Sequence, residues 1–194
     1  MKKSISLLLI ITVLLTLVAC DKSNKKMTIS ATTLSEKEES IIKLLSVPND
    51  SKVFDYTLDE TVKSMTITCH TLNEDMKWED QGAILGDIET SSGRIGITID
   101  NGLQISIESG SNGISTIKPE LTELLNLPMN YTHATPWLSE SSIEPDKEIP
   151  LLIKVYTDSN SIVSYDTASY FKPKHLKGND LVIAVTVCFS TTEQ

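Results

Sequence analysis

The sequence has few of the residues from which catalytic and metal sites are usually built. Its 194 residues include three histidines, three cysteines and two tryptophans, and aromatic residues make up 5% of the chain. No two histidines have the spacing of a His-Glu-x-x-His metal pair. A Gly-x-Ser-x-Gly nucleophile motif, a phosphate-binding glycine loop and a dinucleotide fingerprint are also absent. The sequence therefore predicts no catalytic residue, no metal and no cofactor.

Basic residues are outnumbered as well. The chain has 17 lysines and arginines against 26 acidic residues, a net charge of −9. A protein that binds a polyanion needs a basic face that displaces counterions, and no predicted strand or helix shows one. Nucleic acid is therefore not expected as a partner. The acidic surplus favours solubility instead.

The first twenty residues are the most distinctive segment. Lys2 and Lys3 form a basic start, and residues 5–19 are apolar except for three Ser and Thr residues. Such a run fits the apolar core of a secretion signal and is short for a membrane span. It ends in Leu17-Val18-Ala19-Cys20, which resembles the lipobox of bacterial lipoproteins.

This resemblance implies that residues 1–19 are a signal peptide and that the sulfur of Cys20 carries a diacylglyceryl group. Two or more acyl chains hold a protein firmly at a bilayer, which would place the chain on the outer side of the cell membrane. Loss of the signal would leave 15 basic against 26 acidic residues, a net charge of about −11. An ordinary signal peptide cut near Ala19 and an uncleaved anchor are the alternatives.

The remaining sequence predicts a flexible lipidated tether over residues 20–34 and one domain over 35–194. Within the domain, the pattern from Phe54-Asp55-Tyr56 through 60–65 to Trp78 loosely resembles small Gram-positive lipoproteins to which no function is assigned. That resemblance implies no activity. The only expectation that it supports is that the chain is a lipoprotein with a signal peptide and a lipid anchor.

Two helices are predicted. Ser35 and Glu38 have the Ser-x-x-Glu spacing of a capping box. An apolar stripe of Ile41, Leu44 and Leu45 follows, and we expect it to pack on the domain. A second, shorter helix is predicted to begin at Pro119.

Most other segments alternate between apolar and polar residues with a period of two, which is typical of strands. The predicted fold is mainly β: an antiparallel β-sandwich or a partly closed barrel with an N-terminal helix and room for one short internal helix. Residues 181–190 are apolar on both faces, which predicts a strand in the middle of a sheet. We expect the N-terminal helix to cover the second face of this strand.

The clearest local unit is a hairpin from Arg94 to Glu108. A three-residue loop, Asp100–Gly102, places Ile99 opposite Leu103 and keeps both apolar rows on one face, whereas a two-residue loop would separate the rows. This loop length predicts a type I turn followed by a bulge, with Gly102 in the left-handed region.

Cys69 and Cys188 form the one possible disulfide pair once Cys20 is assigned to lipid. Alternation places Cys69 on the inward face of its strand and Cys188 on the less apolar face of another strand. This favours two buried thiols. A bulge in either strand would reverse the face on which its cysteine lies, so a disulfide is the alternative.

Trp78 and Trp137 are candidates for a ligand surface, because an exposed indole can contact a sugar or a protein, although burial is the competing interpretation. His70 is predicted to lie on the polar, solvent-exposed face of its strand. The loops expected to carry function are residues 126–142 and 166–179.

The leading hypothesis is a membrane-anchored, extracytoplasmic lipoprotein that acts as a non-catalytic binding module for a protein or glycan. One alternative is a small exported hydrolase with a site dispersed over several strands. Another is an assembly partner of a membrane complex.

Overall fold

The computed structural model describes residues 26–100, 102–109, 114–118 and 131–193. Over these residues it contains eleven strands and one α-helix, α1 (Glu36–Leu44). The strands are β1 (Thr28–Ala31), β2 (Ser51–Thr57), β3 (Ser64–Leu72), β4 (Trp78–Asp87), β5 (Ser92–Ile99), β6 (Leu103–Ser109), β7 (Ile114–Ile117), β8 (Thr132–Ala134), β9 (Glu140–Ser142), β10 (Glu148–Thr157) and β11 (Leu181–Ser190). Among the described helices, none combines the length and the hydrophobicity that a membrane-spanning helix requires.

The described strands form two antiparallel sheets. Sheet A has the order β7-β6-β5-β2-β1-β9, and sheet B has the order β4-β3-β11-β10-β8. The described structure is mainly β, as predicted. Neither strand order closes on itself, so the sandwich is the correct one of the two predicted architectures. Side chains of both sheets form one buried cluster, which includes Phe54, Ile95 and Ile105 of sheet A and Ile67, Val185 and Phe189 of sheet B.

Strand β11 lies in the middle of sheet B, as its two apolar faces predicted. Its second face is covered by two short 3₁₀ helices, Thr167–Phe171 and Pro173–Leu176, rather than by α1. Tyr170 and Leu176 from these helices pack with the outer side chains of β10 and β11 in a second buried cluster. Sheet B therefore separates two apolar layers.

The predicted hairpin register is confirmed, because Ile99 pairs with Leu103 and Ile95 pairs with Ile107. The prediction for Gly102 is wrong. Its φ lies outside the left-handed range, and a Cβ there would meet no heavy atom within 4 Å. Matching of the apolar rows therefore fixes this register without a left-handed glycine.

The folded part begins earlier than predicted. Strand β1 lies within the range assigned to the tether and pairs with both β2 and β9. Ile29 has no exposed surface, because it belongs to the core between the sheets. Seven residues therefore separate Cys20 from the first strand, a maximum span of about 25 Å.

The capping box at the start of α1 is confirmed. Ser35 N–H donates to Glu38 Oε2 at 2.8 Å, and Glu38 N–H donates to Ser35 Oγ at 3.4 Å. The predicted packing of the stripe is wrong, since Ile41, Leu44 and Leu45 are 46%, 83% and 69% exposed. Ile42, from the edge of the stripe, faces the sheet instead. The second predicted helix, at Pro119, lies outside the described residues.

Gly93 tests the packing of sheet A. A Cβ at this position would lie 2.3 Å from the hydroxyl oxygen of Tyr56 and 2.7 Å from the carbonyl oxygen of Glu108. Tyr56 is buried in the core and the Glu108 oxygen belongs to the backbone, so the added carbon requires the surrounding structure to shift. Gly93→Ala should therefore lower the free energy of unfolding by about 2 kcal/mol. Gly102→Ala is the control and should change it by less than about 0.5 kcal/mol in urea denaturation. Equal stability of the two variants would contradict this packing.

Candidate functional site

His70 lies in the interior and not on the surface, which corrects the sequence prediction. Its strand, β3, does direct it to the outer face of sheet B, but the first 3₁₀ helix covers that face and leaves His70 3% exposed. A bulge between β3 and β4 shifts the register at this point, so that His70 pairs with Asp80. We call the group of His70, Asp80, Glu148, Tyr170 and Thr186 the His70 site.

Both ring nitrogens of His70 are occupied. Nδ1 lies 2.7 Å from Asp80 Oδ1, and Nε2 lies 3.0 Å from Thr186 Oγ1. A carboxylate only accepts hydrogen bonds, so Nδ1–H donates to Asp80, and Nε2 shares a hydrogen bond with the Thr186 hydroxyl. The Tyr170 hydroxyl lies 3.4 Å from Nε2 and donates to Glu148 Oε2 at 2.8 Å. The imidazole is therefore held in one orientation.

The covering helix is itself fixed by polar contacts. Asp166 caps it by accepting from Ser169 N–H at 3.1 Å. The indole N–H of Trp78 donates to the carbonyl oxygen of Tyr170 at 2.9 Å, and the two rings stack with centroids 5.0 Å apart. Burial and the hydrogen bond to Glu148 raise the pKa of Tyr170. Tyr170 thus remains protonated and continues to donate at physiological pH.

Carboxylate, imidazole and hydroxyl follow one another in the order of an orienting acid, a base and a nucleophile. Thr186 is 1% exposed, because β10 and β3 flank it and the 3₁₀ segment lies above it. A substrate carbonyl has no path to this hydroxyl in the described structure. The arrangement acts as a polar network whose imidazole and hydroxyls are buried, whereas its carboxylates, Asp80 and Glu148, have side chains that are 75% and 42% exposed.

A second polar cluster lies at the end of the sandwich where β5 ends. Lys154 is 3% exposed, and its ammonium group bonds to Asp50 and donates to the carbonyl oxygen of Ile99 at 3.2 Å. His133 Nε2 lies 3.8 Å from Asp50 Oδ2. The Lys154 Nζ atom also lies 5.4 Å from the ring centroid of Tyr156. A buried ammonium in a run of apolar residues requires such partners.

The two tryptophans occupy the edge of the core rather than an open surface. Trp78 is half-buried against Tyr170, as described above. Trp137 is half-buried, forms a bridge with Leu152 and packs on Phe54 with ring centroids 6.2 Å apart. Each indole therefore already has an aromatic partner.

The two described cysteines are free thiols and form no disulfide. Cys69 points into the core and is 1% exposed, whereas half-buried Cys188 lies on the outer face of sheet B with Glu148 and Thr66 beside it in the register. Burial raises the pKa of Cys69 to about 12, so its thiolate is scarce at neutral pH. Cys20 lies outside the described residues.

The described residues form several open clefts. One, of about 440 Å³, lies beside the 3₁₀ helices within the predicted loop 166–179 and is lined by Asp166, Lys172 and His175. Another lies beneath α1, and a third, of about 330 Å³, borders Gly93 and Arg94 of sheet A. No group of three described His, Cys, Asp or Glu side chains is arranged to hold a metal ion.

Tyr156 provides a test of the Lys154 cluster. Burial, with added repulsion from Asp50 and Asp100, raises its pKa to about 12, above the value near 10 of an unfolded tyrosine. The raised pKa contributes about 2 kcal/mol to the free energy of unfolding. This contribution is fully present below pH 10 and is lost as the pH rises through 12. Urea denaturation at pH 9 to 12 should show this decrease, and the slope should be smaller in Tyr156→Phe. Identical slopes would contradict the burial of this hydroxyl.

Comparison of the chain with models of known protein families, with curated proteins and with solved structures gave no match. A β-sandwich carries many unrelated functions, so the fold alone does not select one. Function is therefore to be inferred from the chemistry of the described side chains and from the N-terminal signal.

Proposed function

We propose that this chain is a lipoprotein anchored through Cys20 to the outer side of a cell membrane, and that its β-sandwich is a non-catalytic binding module. The lipobox-like end of the signal supports the anchor. The position of β1 supports a domain that lies close to the lipid, since seven residues link Cys20 to Thr28.

The observation that carries the non-catalytic assignment is that the imidazole and the threonine hydroxyl of the His70 site are buried, although its two carboxylates reach solvent. Its imidazole has hydrogen-bond partners at both nitrogens, and the hydroxyl in the nucleophile position is buried. A general base must reach the proton that it removes from a bound substrate. His70 instead ties the cover formed by the 3₁₀ segment to sheet B.

The open cleft beside the 3₁₀ helices is the surface that we assign to a protein or glycan partner. Two apolar side chains on this part of the domain, Val163 and Phe171, are 66% and 61% exposed. Lys172, Asp166 and His175 supply charged and hydrogen-bonding groups in the cleft. Exposed apolar groups beside polar ones are typical of recognition surfaces.

Replacement of the anchor residue tests the location. The unaltered chain should sediment with membranes of a host that processes lipoproteins, and its N-terminal peptide should carry the mass of attached acyl chains. Cys20→Ser should abolish acylation and release the domain from those membranes. Cys188→Ser is the matched control and should remain bound. An unaltered chain that washes off with a free thiol at Cys20 would overturn the anchoring proposal.

The alternative of an exported hydrolase is favoured by one observation, the contact of Asp80, His70 and Thr186. We expect purified protein to hydrolyse no peptide, ester or glycan substrate in a broad panel. If it does, His70→Asn and Thr186→Val should be assayed against His175→Asn, with urea denaturation to confirm folding. Loss of activity in the first two folded variants, with activity kept in the control, would replace the binding-module proposal.

A further inference from the structure

Among the described lysines, Lys154 alone is buried. It lies on β10 two residues from Leu152 and Tyr156, which both belong to the core between the sheets. Its Nζ atom contacts the carboxylate of Asp50, which directly precedes β2, so the pair joins sheet B to sheet A. Removing an ammonium group from water is unfavourable, and attraction to a carboxylate offsets this only in part. A reaction that neutralises both groups would relieve the penalty.

The backbone holds both groups of this pair in place. Ile99 N–H donates to the carbonyl oxygen of Asp50 at 2.9 Å, and Lys154 pairs with Ile183 inside the ladder of β10 and β11. The Lys154 ammonium group also donates to the carbonyl oxygen of Ile99 at 3.2 Å, which orients it. Amine and carboxyl therefore meet without a search. Such fixed proximity accelerates bond formation by orders of magnitude over free reactants.

A proton carrier lies beside the carboxylate. His133 Nε2 is 3.8 Å from Asp50 Oδ2, and the Thr135 hydroxyl donates to the same oxygen at 3.4 Å. Strand β8 pairs His133 with Tyr156 of β10, and their ring centroids lie 5.9 Å apart, which fixes the imidazole. The His133 side chain is 51% exposed, so it exchanges protons with solvent. Histidine is the side chain best suited to proton transfer near neutral pH.

We propose that Lys154 and Asp50 condense to an intramolecular amide. A proton first passes from Nζ to Oδ2 within the ion pair, which gives a neutral amine and a carboxylic acid. The Nζ lone pair then forms a bond to Cγ, and the bond between Cγ and Oδ2 breaks. His133 relays a second Nζ proton to Oδ2, which departs as water on the partly exposed side of Asp50. The three ammonium protons become one amide proton and two protons of water, and no oxidant, reductant or other reactant is required.

The amide links the two sheets covalently. Positions 50 and 154 are 104 residues apart, so the bond closes a large part of the domain into one ring. A cross-link over such a loop restricts the unfolded chain and thereby favours the folded state. This inference goes beyond the proposed binding module. It depends neither on the anchor nor on a partner, because both groups belong to the folded domain.

Peptide mapping by mass spectrometry tests the proposal. Proteolysis of the purified, folded chain should release a branched peptide that joins positions 50 and 154 and is lighter by one water molecule than its two parts. Lys154→Arg and Asp50→Ala should give no such peptide. The pair of Lys147 and Glu144 is an internal control, because its side chains are in contact but 67% and 63% exposed, and it should stay unlinked. Only unlinked peptides from the unaltered chain would overturn the proposal.

The rate of linkage tests the role of His133. In pulse-labelled chains the branched peptide should form about 100-fold more slowly in His133→Asn than in the unaltered chain, because a positioned proton carrier contributes about this much. His175→Asn, which replaces an exposed histidine of the 3₁₀ segment, is the matched control and should link at the unaltered rate. Urea denaturation should show that both variants fold. Equal rates in the two variants would overturn the proposed step.

Discussion

Strand β11 is buried on both faces, and this constraint determines where the other elements lie. Val185 and its inward neighbours require sheet A opposite them, which gives the sandwich its main core. Val182 and Ala184, on the other face, require a separate cover, and the 3₁₀ helices provide it. Covering that face removes His70 from water, so its polar atoms must find partners inside the protein. The polar network around His70 is thus a consequence of the way in which an apolar strand is enclosed.

Much of the sandwich could be predicted because alternation is a local property of the sequence. The facing apolar rows of β5 and β6 fixed their register, and the double apolar pattern of β11 fixed its central position. The capping box at Ser35 was also readable, since its two partners are three residues apart. In each case the informative pattern lies within one element or between neighbours along the chain.

The errors concern contacts between distant segments. The polar strand neighbours of His70 predict a solvent-exposed side chain, whereas its cover comes from Tyr170, one hundred residues later. Lys154 is the one charged residue inside an otherwise apolar stretch of β10, and such a lysine is a usable signal for a buried ion pair. The polar residues around Ile29 predict a tether, because so short an apolar segment carries little periodic information, whereas the structure buries Ile29 completely. None of these cases contradicts local propensity; each depends on which surface a remote segment covers.

The position of β1 has a mechanical consequence. The strand lies inside sheet A, hydrogen-bonded on both sides, and the chain enters it directly from the N-terminal direction. A pull on that end along the strand axis loads the two ladders in shear, so their hydrogen bonds share the tension instead of opening one after another. Ile29 adds resistance, because sliding the strand would drag a fully enclosed side chain through a close-packed interior. The first strand thus resists extraction at the point where a tether would transmit force to the body.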